Sequence, residues 1–302
     1  ASSAGTYTVT ITIPAAGGCP GTSATATVTI YAYPTMTSVS SATICSGSTV
    51  NIPLTGSIGS SYEWIAADNV NTTGESLTTQ TTATLSNAIT DDVSSQQNVI
   101  YTVTPTSTVS GACVGTPQTV IVLVNPMDNP GFTYSPATFC QTGANPTPVI
   151  SGLSGGTFSG SGGLVFTNTS TGTINLLSSG VGSYTVTYTT NGVCPNSQSV
   201  PVTITTAPSA AFSFTATPFC QDEANPLPTF GGGASGGTFS GGAGLVFVNN
   251  GTGEVDLAAS TPGTYTVTNT IPASGGCSVS AATATITITQ LKVATFNYAA
   301  SP

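Results

Sequence analysis

Positive charge and histidine are almost absent from this sequence. Its only basic residue is Lys292, it has no His, and its ten Asp and Glu residues bring the net charge to -9. Nucleic-acid binding needs Lys and Arg to neutralise phosphates, and acid–base or triad catalysis at neutral pH usually needs His. We therefore expect no nucleic-acid partner, no catalytic residues and no cofactor.

Long apolar runs and helical periodicity are missing too. No stretch approaches the roughly 18 apolar residues of a membrane-spanning helix, so we expect no membrane insertion in this segment. Hydrophobic residues nevertheless make up 38% of the chain, and aromatic and β-branched residues are frequent, unlike in disordered chains. The phrase Tyr7-Thr-Val9-Thr alternates apolar and polar residues, as strands with one buried face do. The sequence therefore predicts an all-β fold.

A short phrase, Tyr-Thr-Val, recurs along the chain. It begins at Tyr7, Tyr101, Tyr184 and Tyr265. Consecutive copies are about 80 to 95 residues apart, which is too long for a solenoid and suits one small β-domain per copy. We predict the tail of an incomplete domain at 1–33, three complete domains at 34–125, 126–206 and 207–289 (repeats one, two and three), and the first strand of a further repeat at 290–302.

The seven cysteines follow the same period. Each complete repeat has one Cys near its start and one after the Tyr-Thr-Val strand: Cys45 and Cys113, Cys140 and Cys194, Cys220 and Cys277. We predict one disulfide inside each repeat, contributing about 4 kcal/mol in the chain-entropy model, and a Cys19 that is unpaired within this segment because its partner lies upstream of residue 1. Disulfides would place the protein in an oxidising, extracellular setting.

Acidic residues suggest one weak metal site. Repeat three carries Asp222, Glu223, Glu254 and Asp256, where repeat two has uncharged residues. Calcium binds clusters of carboxylate and carbonyl oxygens, so these four residues are calcium candidates from two loops. A more acidic, solvated face is the alternative interpretation.

Three aromatic residues allow a carbohydrate-binding interpretation. Phe158 and Phe239 occupy equivalent positions in repeats two and three, and Trp64 is the only Trp. A sugar platform would require these rings to be exposed, whereas packing in a β-sandwich core would bury them. Core packing is the simpler interpretation.

Several phrases resemble those of a known class of repeats. They are Ser154-Gly-Gly-Thr-Phe158-Ser-Gly followed by Tyr184-Thr-Val, and, in repeat one, Ile44-Cys45-Ser-Gly, Tyr62-x-Trp64 and Val122-x-Val-Asn-Pro126. These resemble the PKD-like and Ig-like tandem repeats of very large surface proteins of Bacteroidetes, including gliding-motility adhesins and related cargo of the type IX secretion system. The resemblance implies tandem Ig-like or PKD-like antiparallel β-sandwiches, arranged end to end at the bacterial cell surface.

The function expected from these features is structural. We expect a non-catalytic, repetitive segment of an extracellular adhesin or cell-surface fibre, acting as a stalk or forming filaments; the alternatives are an array of carbohydrate-binding modules or an accessory stalk of a secreted enzyme. Natural sheets commonly guard their edges with Lys and other charges, which are nearly missing here. Self-association into filaments is therefore expected, with surface glycans or other cells as further candidate partners.

Overall fold

The computed structural model describes residues 3–109 and 111–298. Residues 1–2 and 299–302 of the two predicted terminal segments, and residue 110 of repeat one, lie outside the described residues. The described chain forms strands and turns without a helix, which confirms the all-β prediction. It divides into two compact units: the first runs to Asn129 and includes Asn191–Asn196, and the second comprises Pro130–Thr190 and the chain from Ser197 onward.

The first unit contains a hairpin and a β-sandwich. Its strands are β1 (Gly5–Ile13), β2 (Thr22–Ile30), β3 (Ser41–Cys45), β4 (Ser48–Thr49), β5 (Ile52–Pro53), β6 (Ser60–Ala66), β7 (Thr72–Thr73), β8 (Thr84–Leu85), β9 (Ala88–Asp91), β10 (Gln97–Ser107) and β11 (Gln118–Asn125). β1 and β2 form a two-stranded sheet, whereas the main sheet has the order β3-β11-β10-β6. The short strands form the smaller sheets β4-β9-β7 and β5-β8.

The second unit contains two further four-stranded sheets. Its strands are β12 (Phe132–Thr133), β13 (Thr138–Cys140), β14 (Val149–Ile150), β15 (Thr157–Gly160), β16 (Phe166–Asn168), β17 (Thr173–Ile174), β18 (Gly182–Thr189), β19 (Ser197–Thr205), β20 (Phe212–Ser213), β21 (Phe219–Cys220), β22 (Thr229–Phe230), β23 (Thr238–Gly241), β24 (Phe247–Asn249), β25 (Glu254–Val255), β26 (Gly263–Ile271) and β27 (Ser280–Thr289). The main sheets have the orders β13-β19-β18-β15 and β21-β27-β26-β23. Residues 290–298, where a further strand was predicted, belong to none of these strands. The five-segment division of the chain stays a prediction.

All three main sheets follow one plan. The Tyr-Thr-Val strands β10, β18 and β26 are inner strands, antiparallel to the final strands β11, β19 and β27. The short strands that end at the first cysteine, β3, β13 and β21, pair in parallel with those final strands. The sequence did not predict this parallel pairing, because strands of two to five residues are too short to show a useful alternation of apolar residues.

The core of repeat one follows the predicted alternation. Val99, Tyr101 and Val103 of β10 are each 0% exposed, while the residues between them are exposed. Trp64 of β6 is 3% exposed, and its ring meets that of Tyr101 edge-on with 5.9 Å between the centroids. Its Nε1 donates a hydrogen bond to the Thr82 carbonyl oxygen at 3.2 Å. Trp64 is thus a core residue with its polar atom satisfied.

Repeats two and three build their cores around the Phe that ends the Gly-Gly-Thr-Phe phrase. Phe158 lies 4.5 Å from the Tyr188 ring and 5.3 Å from that of Phe132, centroid to centroid. In repeat three, Phe239 lies 5.2 Å from Phe212. Each such aromatic contact stabilises the folded state by about 0.5–1.5 kcal/mol beyond the gain from burying the rings.

A buried polar side chain holds the glycine-rich loop of repeat three. Asn269 of β26 is 0% exposed. Its Oδ1 accepts a hydrogen bond from the Gly237 N–H at 2.8 Å, and its Nδ2 donates to the carbonyl oxygens of Ser235 and Ala210 at 2.9 Å. Because buried backbone groups are costly to leave unpaired, this one side chain determines where the loop lies.

In repeat two, a tyrosine hydroxyl takes the place of this amide and holds the equivalent loop. The Tyr188 hydroxyl accepts from the Gly156 N–H at 2.9 Å and donates to the Leu153 carbonyl oxygen at 2.7 Å. Glycine is required at this point because a Cβ on Gly156 would lie 2.2 Å from the Thr189 carbonyl oxygen. The recurring Gly-Gly phrase therefore reflects close packing of the loop against the inner strand.

Removal of the buried amide tests this role. We expect Asn269→Ala to cost about 2–3 kcal/mol, because it leaves a buried N–H and two carbonyl oxygens unpaired. Hydrogen exchange of the β26 amides, followed by mass spectrometry, should then speed up by about 30- to 150-fold, in proportion to the free energy of local opening. Asn250→Ala, in the exposed turn of the same repeat, is the matched control. Equal exchange rates in the two variants would contradict the assignment.

Two buried tyrosines make the fold sensitive to alkaline pH. Burial raises the pKa of Tyr101 and of Tyr134 above the ordinary value of 10.0, and the Glu75 carboxylate raises that of Tyr101 further. The Tyr101 hydroxyl donates to Asn87 Oδ1 at 2.9 Å. An ionised Tyr101 has no hydroxyl proton and could not donate this hydrogen bond.

Stability should therefore fall above pH 10. In the unfolded chain these tyrosines ionise near their ordinary pKa, whereas the folded state must keep them neutral, so their contribution is full below pH 10 and is lost as the pH rises toward the folded-state pKa. Denaturant unfolding followed by Trp64 fluorescence, with free thiols blocked, measures this for repeat one. In the Tyr101→Phe variant, the free energy of unfolding should fall less steeply above pH 10. An unchanged slope would show that ionisation of Tyr101 is not the cause.

Candidate functional site: the cysteine junctions

Two disulfides link neighbouring repeats. In the first unit Cys45 bonds Cys194 with 5.5 Å between Cα atoms, and in the second Cys140 bonds Cys277 with 4.6 Å. Each bond joins the first cysteine of one repeat to the hairpin cysteine of the following repeat. Cys19, Cys113 and Cys220 are free thiols. The predicted pairs within repeats, Cys45–Cys113, Cys140–Cys194 and Cys220–Cys277, are therefore wrong.

The geometry of the final strand explains this correction. In repeat three, Cys220 pairs with Thr289 at the end of β27, whereas Cys277 precedes the start of the same strand at Ser280. A strand of 10 residues spans about 30 Å at about 3.3 Å per residue. Bridged cysteines have Cα atoms at most about 7 Å apart. The two cysteines of one repeat lie at opposite ends of its sheet and cannot meet.

The junction in the first unit is reinforced by Asp128. Its backbone N–H donates to the Cys194 carbonyl oxygen at 2.8 Å, and its Oδ2 accepts from the Gly192 N–H at 2.9 Å. The side-chain amide of Asn196 donates to the Asp128 carbonyl oxygen at 3.2 Å. Cys194 itself is 1% exposed. The hairpin tip 191–196 is thus held by backbone and side-chain bonds as well as by the disulfide.

The junction in the second unit rests on Thr205 and a close backbone approach. The Thr205 hydroxyl lies within hydrogen-bond distance of the carbonyl oxygens of Gly275 and Phe139. Gly276 has φ +78°, and a Cβ there would lie 2.5 Å from the Thr138 carbonyl oxygen. Only glycine permits both this conformation and this distance. The Gly-Gly-Cys phrase therefore allows the hairpin of repeat three to pack closely against repeat two.

Neither Asp128 nor Thr205 was predicted from the sequence to take part in these junctions. Asp128 lies between β11 and β12, and Thr205 ends β19, the final strand of repeat two. The available signal was the recurrence of Thr203-Ile-Thr205 as Thr287-Ile-Thr289, directly before each linker. In so Thr-rich a sequence, that recurrence did not stand out.

The four calcium candidates have an ordinary structural setting. Asp222 and Glu223 are exposed after β21, and Glu254 lies in β25. Asp256 Oδ1 accepts from the Ala259 N–H at 3.0 Å, as the neutral Asn175 Oδ1 accepts from Ser178 in repeat two. Among residues 3–109 and 111–298, no group of three or more His, Cys, Asp or Glu side chains could hold a metal ion.

The proposed sugar platforms are buried. Phe158 is 1% exposed, Phe239 is 0% exposed and Trp64 is 3% exposed. A stacked sugar needs an accessible ring face, which none of them offers. The carbohydrate-binding interpretation of these three residues is therefore wrong, and core packing explains them.

Part of the chain matches a known domain family. Residues 42–128 match the model of the PKD-like domain, so most of repeat one is similar to PKD-like domains. No curated protein matches the sequence. In the described part of the chain, no helix is long and apolar enough to span a membrane.

Several solved structures match this chain at low identity and with TM-scores below 0.5. Protocadherin Gamma B2 extracellular cadherin domains 3–6 match with 10% identity and a TM-score of 0.31, over 85% of this chain and 73% of that one. Human CDH23 EC21-23 matches with 13% identity and a TM-score of 0.30, over 84% and 100%. Drosophila N-cadherin EC1-4 matches with 10% identity and a TM-score of 0.28, over 95% and 83%.

A thiol count distinguishes the two pairing schemes. We expect three reactive thiols in the monomeric chain after denaturation without reductant, because Cys19, Cys113 and Cys220 are free. Pairing inside each repeat would leave only Cys19. Peptide mapping should recover Cys45–Cys194 and Cys140–Cys277. Cys19→Ser, the control, should lower the count by one without changing the map. A single thiol in the unmodified chain would refute the scheme.

Proposed function

We propose that this chain is a non-catalytic structural segment of an extracellular adhesin or cell-surface fibre, acting as a stalk or forming filaments. The observation that carries the proposal is that each disulfide links one repeat to the next. A bond of this kind does little for catalysis or ligand binding. It limits how far successive repeats can extend when the chain is pulled.

The two disulfides close overlapping loops. Cys45–Cys194 and Cys140–Cys277 share the stretch from Cys140 to Cys194. In an unfolded chain, the direct route from Cys45 to Cys277 has about 230 residues, or about 800 Å of backbone at about 3.5 Å per residue. The route through both disulfides uses only the shared stretch of about 55 residues, or about 190 Å. The overlap thus limits how far repeats can extend when they unfold.

Composition and redox chemistry support the same role. Disulfides persist in oxidising, extracellular settings. A chain with one basic residue and no His lacks the common groups for acid–base catalysis. Self-association into filaments is consistent with sheet edges that carry almost no Lys.

A finer proposal concerns the class of surface protein. The Gly-Gly-Thr-Phe and Tyr-Thr-Val phrases support a place among the tandem-repeat surface proteins of Bacteroidetes, such as gliding-motility adhesins exported by the type IX secretion system. The PKD-like match over residues 42–128 supports the domain type. An end-to-end row of sandwiches at the bacterial cell surface, with glycans or other cells as partners, belongs to the same proposal.

Single-molecule stretching tests this mechanical role. With handles on the two chain ends, removal of Cys140–Cys277 by serine substitution should lengthen the fully unfolded chain by about 100 Å, and removal of Cys45–Cys194 by about 140 Å, at about 3.5 Å per residue. Removal of both should lengthen it by about 620 Å. This strong non-additivity follows from the overlap, since either bond alone still bypasses most of the chain.

The control for this experiment is Cys113→Ser, which removes a free thiol and should leave the unfolded length unchanged. Reduction of the unmodified chain should reproduce the double removal. Equal unfolded lengths before and after reduction would overturn the proposed function, because the disulfides would then carry no load.

A further inference from the structure

Repeat two has a cavity of about 590 Å³ on its surface. It is lined by residues 141–145, which follow β13, and by Asn175 and Leu177, which follow β17. All of these residues belong to the second compact unit. Pockets that hold small molecules have volumes of about 300–1,000 Å³, so this cavity is large enough for a small ligand.

The cavity has no ionisable side chain. Its lining consists of Gln141, Thr142, Gly143, Ala144, Asn145, Asn175 and Leu177. Repeat three has acidic residues at three of the equivalent places, namely Asp222, Glu223 and Asp256. A charged ligand would find no counter-charge in the cavity of repeat two and would lose hydration there. An uncharged ligand therefore fits this cavity best.

Two asparagines of the cavity are held by the backbone at one end only. Asn145 Oδ1 accepts from the Leu176 N–H at 3.0 Å, and Asn175 Oδ1 accepts from the Ser178 N–H at 3.1 Å. Among residues 3–109 and 111–298, neither Nδ2 group donates a hydrogen bond. Each amide is thus fixed in orientation and keeps its N–H donors for a ligand.

Gln141 adds an acceptor to these donors. Its Nε2 donates to the carbonyl oxygen of the buried Ser179 at 3.2 Å, which orients the amide. Its Oε1 accepts no hydrogen bond from the described part of the chain. Because a hydroxyl group can both donate and accept, this set of neutral donors and an acceptor suits a ligand rich in hydroxyl groups.

An exposed apolar side chain completes the lining. Leu177 is 77% exposed, and the equivalent residue of repeat three is Ala258. A sugar ring has hydroxyl groups at its edge and C–H groups on its faces. Such a ring can bond the amides while a C–H face covers the leucine, and the removal of this apolar surface from water favours binding.

We propose that this cavity binds one neutral sugar residue of a glycan. The two asparagines donate to its hydroxyl oxygens, Gln141 Oε1 accepts from a hydroxyl group, and Leu177 packs on a ring face. The site requires no exposed aromatic ring. The proposal rests on the proposed surface role, which brings the chain into contact with glycans, and deepens that role by naming the site and the chemical class of its ligand.

The test is a titration of the ¹⁵N-labelled chain with the methyl glycosides of glucose, galactose and mannose, followed by NMR. At least one glycoside should shift the side-chain amide signals of Asn145 and Asn175. We expect a dissociation constant of about 1–10 mM, because a single sugar residue has few atoms to contact the protein. N-acetylglycinamide, an uncharged peptide analogue, should not shift these signals.

Repeat three supplies the substitutions for this test. Asn175→Asp and Leu177→Ala introduce the residues found at the equivalent places there, where Asp256 Oδ1 keeps the backbone hydrogen bond at 3.0 Å, so both variants should fold. Each should weaken glycoside binding about 10-fold or more, because one loses an N–H donor and the other loses the apolar contact. Leu227→Ala, which removes an exposed leucine of repeat three, is the matched control and should bind like the unmodified chain.

Several outcomes would overturn the inference. Among them are unchanged amide signals with all three glycosides at about 50 mM, equal affinity in the unmodified chain and in both cavity variants, and equal shifts with N-acetylglycinamide. Loss of binding in Leu227→Ala as well would show that the response is not specific to the cavity. None of these results alters the unfolded lengths measured by stretching, so failure of the sugar site and failure of the mechanical role are distinguishable.

Discussion

The structure depends on the long hairpin formed by the last two strands of each repeat. Within the sheet, alternate residues of this hairpin are buried, and they supply much of the core, as Val267 and Ile286 do in repeat three. Its tip extends past the sheet and carries a cysteine. Because an antiparallel hairpin places its turn at one end of the sheet and its chain ends at the other, the tip is far from the first cysteine of its own repeat. The disulfide must therefore form with another repeat.

Covalent linkage between repeats has a mechanical consequence that core packing cannot supply. A β-sandwich of this size is only marginally stable and can open under load. A bond within one repeat would protect that repeat alone, whereas overlapping bonds between repeats bypass most of the backbone of all of them.

Much of the fold could be predicted because it rests on local patterns. Alternation in Tyr101-Thr-Val103 identified an inner strand, and the recurrence of Tyr-Thr-Val identified the repeats. The cysteine pairing could not be predicted in this way, because a repeating sequence looks the same when it is shifted by one period. Each complete repeat holds two cysteines, so pairing within a repeat accounts for six of the seven and leaves only Cys19 over. The position of Cys277 after the end of β26 was the signal against it.

By itself, the sequence determined the all-β class and the buried and exposed faces of the long strands. These follow from residue types and their period, which act locally. Tertiary structure alone decided which cysteines meet, that the short strand ending at Cys140 runs parallel to β19, and that Asn269 can replace a tyrosine beneath the glycine-rich loop. Each depends on distances between residues far apart in the chain, and only the folded sheet sets those distances.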